Sequence, residues 1–385
     1  MVFQKYPYQR SWRWIFVKLI DFILIPFGPL FRRKPFPDYV RNILVIRLDQ
    51  IGDLVCALPI FPLLKKKFPY ARITVLADNF ARDILEGNPY VDRLFTFSRN
   101  WFSQGKKFSW FHFYQIISEI KKVHFDLGFD LRGDIRNIFL MILGKVRYRV
   151  GYGIAGGGSL LNQQVPYDSS LHQVELNAKL VEGKVVPKNE LIPEVNLSHY
   201  EKANAREELV MAGVKESDHL IAIHPEAGCS SKEWGVDQFK ELIHSILAKT
   251  DAKILIFGVS SAQRLADEFR DSDRVINFVG KISLKKMVAI LSHCSLFIGH
   301  DSGPSHLAQA VGVPKIIFAS GTNQYEIWGV WVKTCHVFKQ DVSCAPCQLR
   351  QCNVSGHPCM SGIRVEDVMR TVLDLMKLET RSMKL

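Results

Sequence analysis

Short, almost unbroken apolar runs bounded by turn residues recur along this chain. Residues 43–47 (ILVIR), 72–77 (RITVLA), 91–97 and 125–131 (FDLGFDL) are of this kind. Runs of that length, rich in branched side chains, predict strands buried on both faces. The stretches between them are helical in spacing, above all 53–68, so strand and helix alternate and a parallel sheet is expected. Glycines at 151, 153, 156, 157 and 158, with no apolar period among them, predict a loop. The pattern then starts again, with a helix predicted over 201–212 and strands over 219–225, 253–258, 275–280, 296–301 and 315–320. The fold class expected is therefore α/β, two Rossmann-like halves that change over near 165–200. Open sheets of this type bind ligands beyond the carboxyl ends of their strands, and a cleft between two such halves is the expected active site.

The first 40 residues do not share this pattern. Residues 10–33 (RSWRWIFVKLIDFILIPFGPLFRR) are apolar, aromatic and flanked by basic residues. A membrane span needs about 20 nearly uninterrupted apolar residues; here Lys18 and Asp21 intrude, and Pro26 and Pro29 break the helix. No small-residue cleavage site follows, which argues against a cleaved leader. A helix here would turn Arg10, Arg13, Lys18 and Asp21 toward one side. Its composition suits a helix lying at an anionic membrane surface, the alternative being a helix packed on the protein's own core. We divide the chain into 1–40, a membrane-surface segment; 41–190, an acceptor domain; and 191–385, a nucleotide-sugar domain with a closing helix.

Composition narrows the partners. The length, 385 residues, exceeds one ordinary core and agrees with two domains. A net charge of +12 favours anionic partners, but the basic residues are scattered, which argues against nucleic acid. Eight cysteines in a chain this long, four of them crowded into 344–359, do not form a secreted disulfide framework and point to a reducing cytoplasm.

Four segments could carry chemistry. The first is 47–54 (RLDQIGDL), after the first strand, where Gly52 is expected to let the chain turn and Asp53 to start a helix, as a cap or as a catalytic carboxylate. The second is 224–234 (HPEAGCSSKEW), a small-residue loop holding Gly228, Ser231 and Lys232; loop amides and a lysine attract phosphate, although this is not the P-loop spacing. In the third, 299–308 (GHDSGPSHLA), Ser302 and the amides around Gly303 would face a diphosphate at a helix start favoured by Pro304, and Asp301 could accept from sugar hydroxyls. A Ser-His-Asp hydrolase site is disfavoured because Ser302 lacks the G-x-S-x-G elbow. The fourth is Cys344-x2-Cys347-x4-Cys352-x6-Cys359, whose first pair has zinc-knuckle spacing and whose second does not, leaving a zinc site or a reduced thiol cluster open.

Taken in order, ILVIRLDQIGDLVCALPIFPLLKKKFP, DLRGDIRN, RVGYG, HPEAGCSSKEWGVDQFKELI and FIGHDSGPSHLAQAVGVPKIIFASGTN resemble glycosyltransferase family nine, the ADP-heptose:lipopolysaccharide heptosyltransferases. The cysteine-bearing tail 344–363 resembles a segment of some members, and the likeness runs over about 41–370. It implies a GT-B fold and an inverting transfer of heptose from ADP-heptose to a lipid-linked, anionic inner-core saccharide at the inner face of the cytoplasmic membrane. By position, Asp53 matches the general base and Lys232 a lysine against the diphosphate. Asp301, Ser302, Gly303 and His306 match the segment holding donor sugar and phosphates, with Gly228 and Ser231 in the companion loop. Gly52, Arg132 and Arg136 fall on the acceptor side. No cofactor and no divalent metal are implied. The loop at 224–232 departs from the Thr-Thr pair of some members, which leaves open another nucleotide sugar and another surface glycan.

Overall fold

The structure is a computed structural model that describes residues 11–32, 34–97, 110–331 and 334–382. It divides into two compact units, residues 1–193 and 194–385.

In the first unit, six strands form one sheet: β1 Asn42–Arg47, β2 Arg72–Ala77, β3 Arg93–Thr96, β4 Leu127–Asp130, β5 Tyr148–Gly151 and β6 Gln163–Gln164, ordered β3-β2-β1-β4-β5-β6. All neighbours are parallel. Ile43, Leu44, Val45 and Ile46 of β1 are fully buried, as a strand covered on both faces requires. Leu44, Ile46, Ile120, Phe125, Ile138 and Met141 share one core. Gly128 of β4 permits that packing, because a Cβ there would lie 2.8 Å from both Met141 and Val146.

The second unit repeats the topology with β7 Leu220–His224, β8 Lys253–Ile256, β9 Val275–Asn277, β10 Leu296–His300, β11 Lys315–Ala319 and β12 Cys335–Lys339, ordered β12-β11-β10-β7-β8-β9. The order reverses between β1 and β4 in one sheet and between β7 and β10 in the other. In open sheets of this kind, loops on either side of such a reversal diverge and leave room for a ligand at the carboxyl edge.

Several local expectations change. The helix foreseen over 53–68 is two, Ile51–Val55 and Ile60–Lys67. Pro59 offers no amide to continue the first helix, and the amides of Ala57 and Leu58 reach back only three residues, to Leu54 and Val55. Gln50, not Asp53, is the N-cap; Gly52 lies inside the helix, and its carbonyl accepts from the Cys56 amide instead of forming a turn ahead of it. Strands β5, β6 and β12 lacked the apolar run that marked the others.

The N-terminal segment forms a helix, Ser11–Leu24, ended at Pro26, and a short one, Gly28–Arg32. Its orientation corrects the expectation of one polar side. Asp21 turns inward and accepts from the Gly157 amide at 2.7 Å, while Lys18 is exposed. Arg10 and the side chain of Arg13 lie outside the described residues. The outward face is apolar: Ile15, Leu19, Phe22 and Ile23 are 65%, 54%, 75% and 55% exposed. Among the described residues, no helix is long and apolar enough to cross a membrane.

Candidate functional site

The loops after β1 and β4 meet in a network of alternating charge. Arg47, the last residue of β1, is buried; its Nη1 donates to the Leu131 carbonyl at 2.8 Å and its Nη2 to Asp53 Oδ1 at 3.2 Å, while Nε pairs with Asp49 at 3.3 Å. Desolvation works against its charge, and the carboxylates of Asp49 and Asp53 outweigh it. The Gln50 amide donates to the other Asp53 oxygen at 3.0 Å. Both oxygens of Asp53 are therefore fixed by donors, each keeps spare acceptor capacity, and the side chain is 17% exposed. A carboxylate held in this way can take a proton from a hydroxyl placed against it.

Arg132 and Arg136 join the same network. Arg132 Nη1 donates to Asp49, and its Nε lies 3.5 Å from Asp134. Asp134 caps the helix Ile135–Leu143 and holds Arg136 in a fork, with Nε at 2.9 Å and Nη2 at 2.6 Å. Gly133, at φ 76°, turns the chain between Asp130 and Asp134. Both guanidinium groups are about one third exposed, so they present positive charge at the carboxyl edge of the sheet.

Asp130, at the end of β4, is fully buried; it accepts from Asn137 Nδ2 at 2.8 Å and from the Arg132 amide at 3.1 Å. Burial pushes its pKa from 3.8 to about 7. The folded state thus holds this proton over a range where the unfolded chain has lost it. The stabilisation is complete below pH 3.8 and disappears as pH rises through about 7. Asp130→Asn keeps the shape without the charge. Its thermal midpoint should match the parent near pH 3 and exceed it by a growing margin as pH rises to 8; midpoints that run parallel across this range would show that Asp130 does not titrate there.

In the second unit, the loop after β7 leads to a tight turn, Ser230–Lys232, and β10 leads to the helix Gly303–Ala310. The structure brings Lys232 and Asp301 together: Nζ donates to the Asp301 carbonyl at 3.1 Å and to Oδ2 at 3.3 Å. Ser302 precedes the helix, Gly303 opens it, and the Ser305 hydroxyl closes its first turn onto the Ser302 carbonyl at 2.6 Å. His306 lies buried in that turn. Gly228 is exposed, with open space where a side chain would stand. A lysine, a helix start and a bare glycine loop suit a diphosphate.

Ser231 has another part. It is 2% exposed, its hydroxyl donates to the Leu349 carbonyl, and its amide donates to that of Arg350. It anchors the loop to the cysteine-bearing tail instead of facing the loop's open side. Residue-by-residue reading also missed His300. This imidazole is fully buried, accepts from the Trp234 amide at 2.8 Å and meets the Glu226 carbonyl at 3.3 Å, so it ties both ends of the lysine loop to β10. Burial drives its pKa down to about 3 and keeps it neutral.

Cys344, Cys347, Cys352 and Cys359 all carry free thiols. Cys359 is buried, which pushes its thiol up; the Gly321 amide opposes this, and the other three thiols add to it, so the four share one electrostatic neighbourhood. Among the described residues, no three His, Cys, Asp or Glu side chains stand where they could hold a metal ion.

With this geometry in place, comparison with known proteins decides the family. The model for glycosyltransferase family 9 (heptosyltransferase) matches residues 113–357. The chain belongs to that family. The matched span runs from before β4 through the Lys232 loop and the Asp301 helix to the cysteine tail. A relative in Escherichia coli K12, lipopolysaccharide heptosyltransferase 3, is 26% identical over 294 residues, 73% of this chain and 83% of its own. The family 9 glycosyl transferase of Veillonella parvula superposes with a TM-score of 0.75 at 19% identity, covering 88% of this chain and 98% of that one. ADP-heptose lipopolysaccharide heptosyltransferase II of E. coli does so at 0.71 and 18%, covering 88% and 99%. These likenesses show the fold, GT-B with two Rossmann-like domains. The chain is a glycosyltransferase.

Proposed function

We propose that this family 9 enzyme inverts the anomeric centre as it moves heptose from ADP-heptose to an inner-core lipopolysaccharide acceptor. The observation that carries the donor half is the meeting of Lys232 with Asp301 at the start of the helix Gly303–Ala310. The relatives' names supply the sugar: one acts in lipopolysaccharide synthesis, and another is named for ADP-heptose. In the proposed step an acceptor hydroxyl oxygen attacks the anomeric carbon and its proton passes to the Asp53 carboxylate. The bond from that carbon to the diphosphate oxygen breaks, and its electron pair leaves on ADP. Lys232 and the positive end of the helix Gly303–Ala310 stabilise that charge as it develops. Arg132 and Arg136 meet an anionic saccharide. Transfer from ADP-heptose to a heptose-free core saccharide tests the reading.

The membrane half rests on the exposed face of Ser11–Leu24. Trp110, Phe111 and Tyr114, on another helix of the same unit, are 74%, 68% and 71% exposed. With Lys18, Lys121 and Lys122 exposed as well, the unit suits the anionic inner face of the cytoplasmic membrane, where a lipid-linked acceptor lies. Each large apolar side chain that enters the bilayer surface contributes about 1.5–3 kcal/mol. The double variant Leu19→Asp, Phe22→Asp should therefore bind phosphatidylglycerol-containing vesicles at least ~100-fold more weakly in flotation, with a parental thermal midpoint. Equal flotation of the two proteins would remove this face from the account.

A further inference from the structure

The membrane role uses the outward face of Ser11–Leu24 and leaves its inward face unexplained. Taking a carboxylate out of water on an apolar helix is unfavourable unless it is hydrogen-bonded, so the partly buried Asp21 calls for a reason. Its Oδ1 accepts from the Gly157 amide at 2.7 Å. A Cβ on Gly156 would stand 3.6 Å from Val17 Cγ1 and 3.8 Å from Asp21 Oδ1. The chain that follows the helix runs along the same loop. A Cβ on Gly28 would lie 3.0 Å from the Ser159 carbonyl, and the buried Arg149 donates to the carbonyls of Leu160 at 3.2 Å and Phe31 at 2.6 Å. The N-terminal segment is thus fastened to residues 156–162 through both Asp21 and Phe31.

The other side of this glycine loop meets the turn that carries the arginines. The Ala155 amide donates to the Gly133 carbonyl at 2.9 Å, and Ala155 pairs with Asp134 in one parallel bridge. Ile154 fills the space beside Gly133, its Cγ1 only 2.7 Å from where a Cβ would stand. Gly157 lies on the helix Ile135–Leu143, where a Cβ would be 3.0 Å from Ile135 and 3.4 Å from Ile138. Asp134, in turn, holds Arg136 in its fork and lies 3.5 Å from Arg132. A line of direct contacts therefore runs from Asp21 through Gly157, Ala155 and Asp134 to both arginines. The loop depends on such holds, because Gly156 and Gly157 are left-handed at φ 95° and 77° and glycine loses the most conformational freedom when fixed.

We propose that Asp21 is a positioning residue for the acceptor: by fixing the glycine loop it keeps Asp134, and with it Arg132 and Arg136, set for an anionic saccharide. Groups that bind a substrate need neighbours that lock their own geometry, and here the last neighbour comes from the N-terminal helix. One face of that helix is apolar and exposed, and the opposite face orders the acceptor side of the same unit. The inference rests on our reading of Arg132 and Arg136 as acceptor-binding, and its test separates the two.

Kinetics are measured on the full chain without vesicles, using a heptose-free core saccharide freed of its lipid, so that membrane binding plays no part. Asp21→Ala should raise the acceptor KM about 10-fold, a normal size for coupled sites. Turnover and ADP affinity should stay near the parent's, the pattern of lost binding that ground and transition states share. Asp21→Asn keeps an oxygen for the Gly157 amide and should restore the parental KM. A parental KM in Asp21→Ala, or no rescue by Asp21→Asn, overturns the inference. Arg136→Ala should raise KM as well; if it does not, the reading of the arginines fails and the inference falls with it. Hydrogen exchange on the parent needs neither a variant that folds nor a donor. By reciprocity the saccharide should slow exchange across both 153–158 and Ser11–Leu24, and unchanged exchange in the helix would overturn the link.

Discussion

Asp53→Asn should lower turnover by at least ~100-fold while donor affinity stays within a few-fold of the parent, in the range for a lost general base. The carboxylate lies in the first unit and Lys232 in the second, so in the proposed reading nucleotide binding has no reason to change. Asparagine preserves the shape but puts an amide group opposite one of two donors, Arg47 Nη2 or the Gln50 amide. That mismatch costs about 1 kcal/mol of capping energy. A small drop in thermal midpoint is thus expected, and measuring it alongside kcat separates local damage from lost chemistry. Near-parental kcat in a folded variant would remove Asp53 from the mechanism.

Lys232→Ala should reduce kcat/KM for the donor by about 100- to 1,000-fold, the loss typical of a preorganised group that stabilises developing charge. Unlike Asp53→Asn, it should also weaken ADP. Lys232 has a second duty, because the Asp301 side chain it pairs with is only 9% exposed. Its removal leaves that carboxylate without this partner, so part of the loss is Asp301 moving. The double variant Lys232→Ala, Asp301→Asn should then lose much less than the two single losses combined, as expected for groups in contact. Strict additivity, or an unchanged response to ADP, would place Lys232 away from the diphosphate.

Much of this was legible in the sequence for a physical reason. A strand covered on both faces must be apolar throughout, so β1, β2, β7, β10 and β11 announce themselves. Such a strand also ends on its first tolerated polar residue, and in these sheets that end is where ligands bind. Arg47, Asp130, His224 and His300 all stand there; each falls in a segment that motif reading picked out, but none was given a part of its own. The weak strands were hidden because β5 is four residues with one aliphatic side chain, β6 is two residues long and β12 is a partly exposed edge. Long-range partners were illegible too. Nothing local shows that Arg132 will meet Asp49, 83 positions away, or that Ser231 will spend its hydroxyl on Leu349, 118 away. Asp21 misled for the same reason: its inward turn depends on the Gly157 amide, 136 residues on. Within that first unit, what the helix spacing alone took for a solvated polar side became an anchor, and the apolar side was left facing out.

The central claim is most directly tested by donor-resolved transfer. The purified protein is supplied with a heptose-free inner-core saccharide and, in separate reactions, ADP-heptose, UDP-sugars and GDP-sugars, and both nucleotide release and the mass of the saccharide are followed. Our account predicts ADP release matched by one added heptose with inverted anomeric configuration, dependent on the acceptor, and no product from the UDP or GDP donors. Transfer from a UDP- or GDP-sugar with none from ADP-heptose would contradict it.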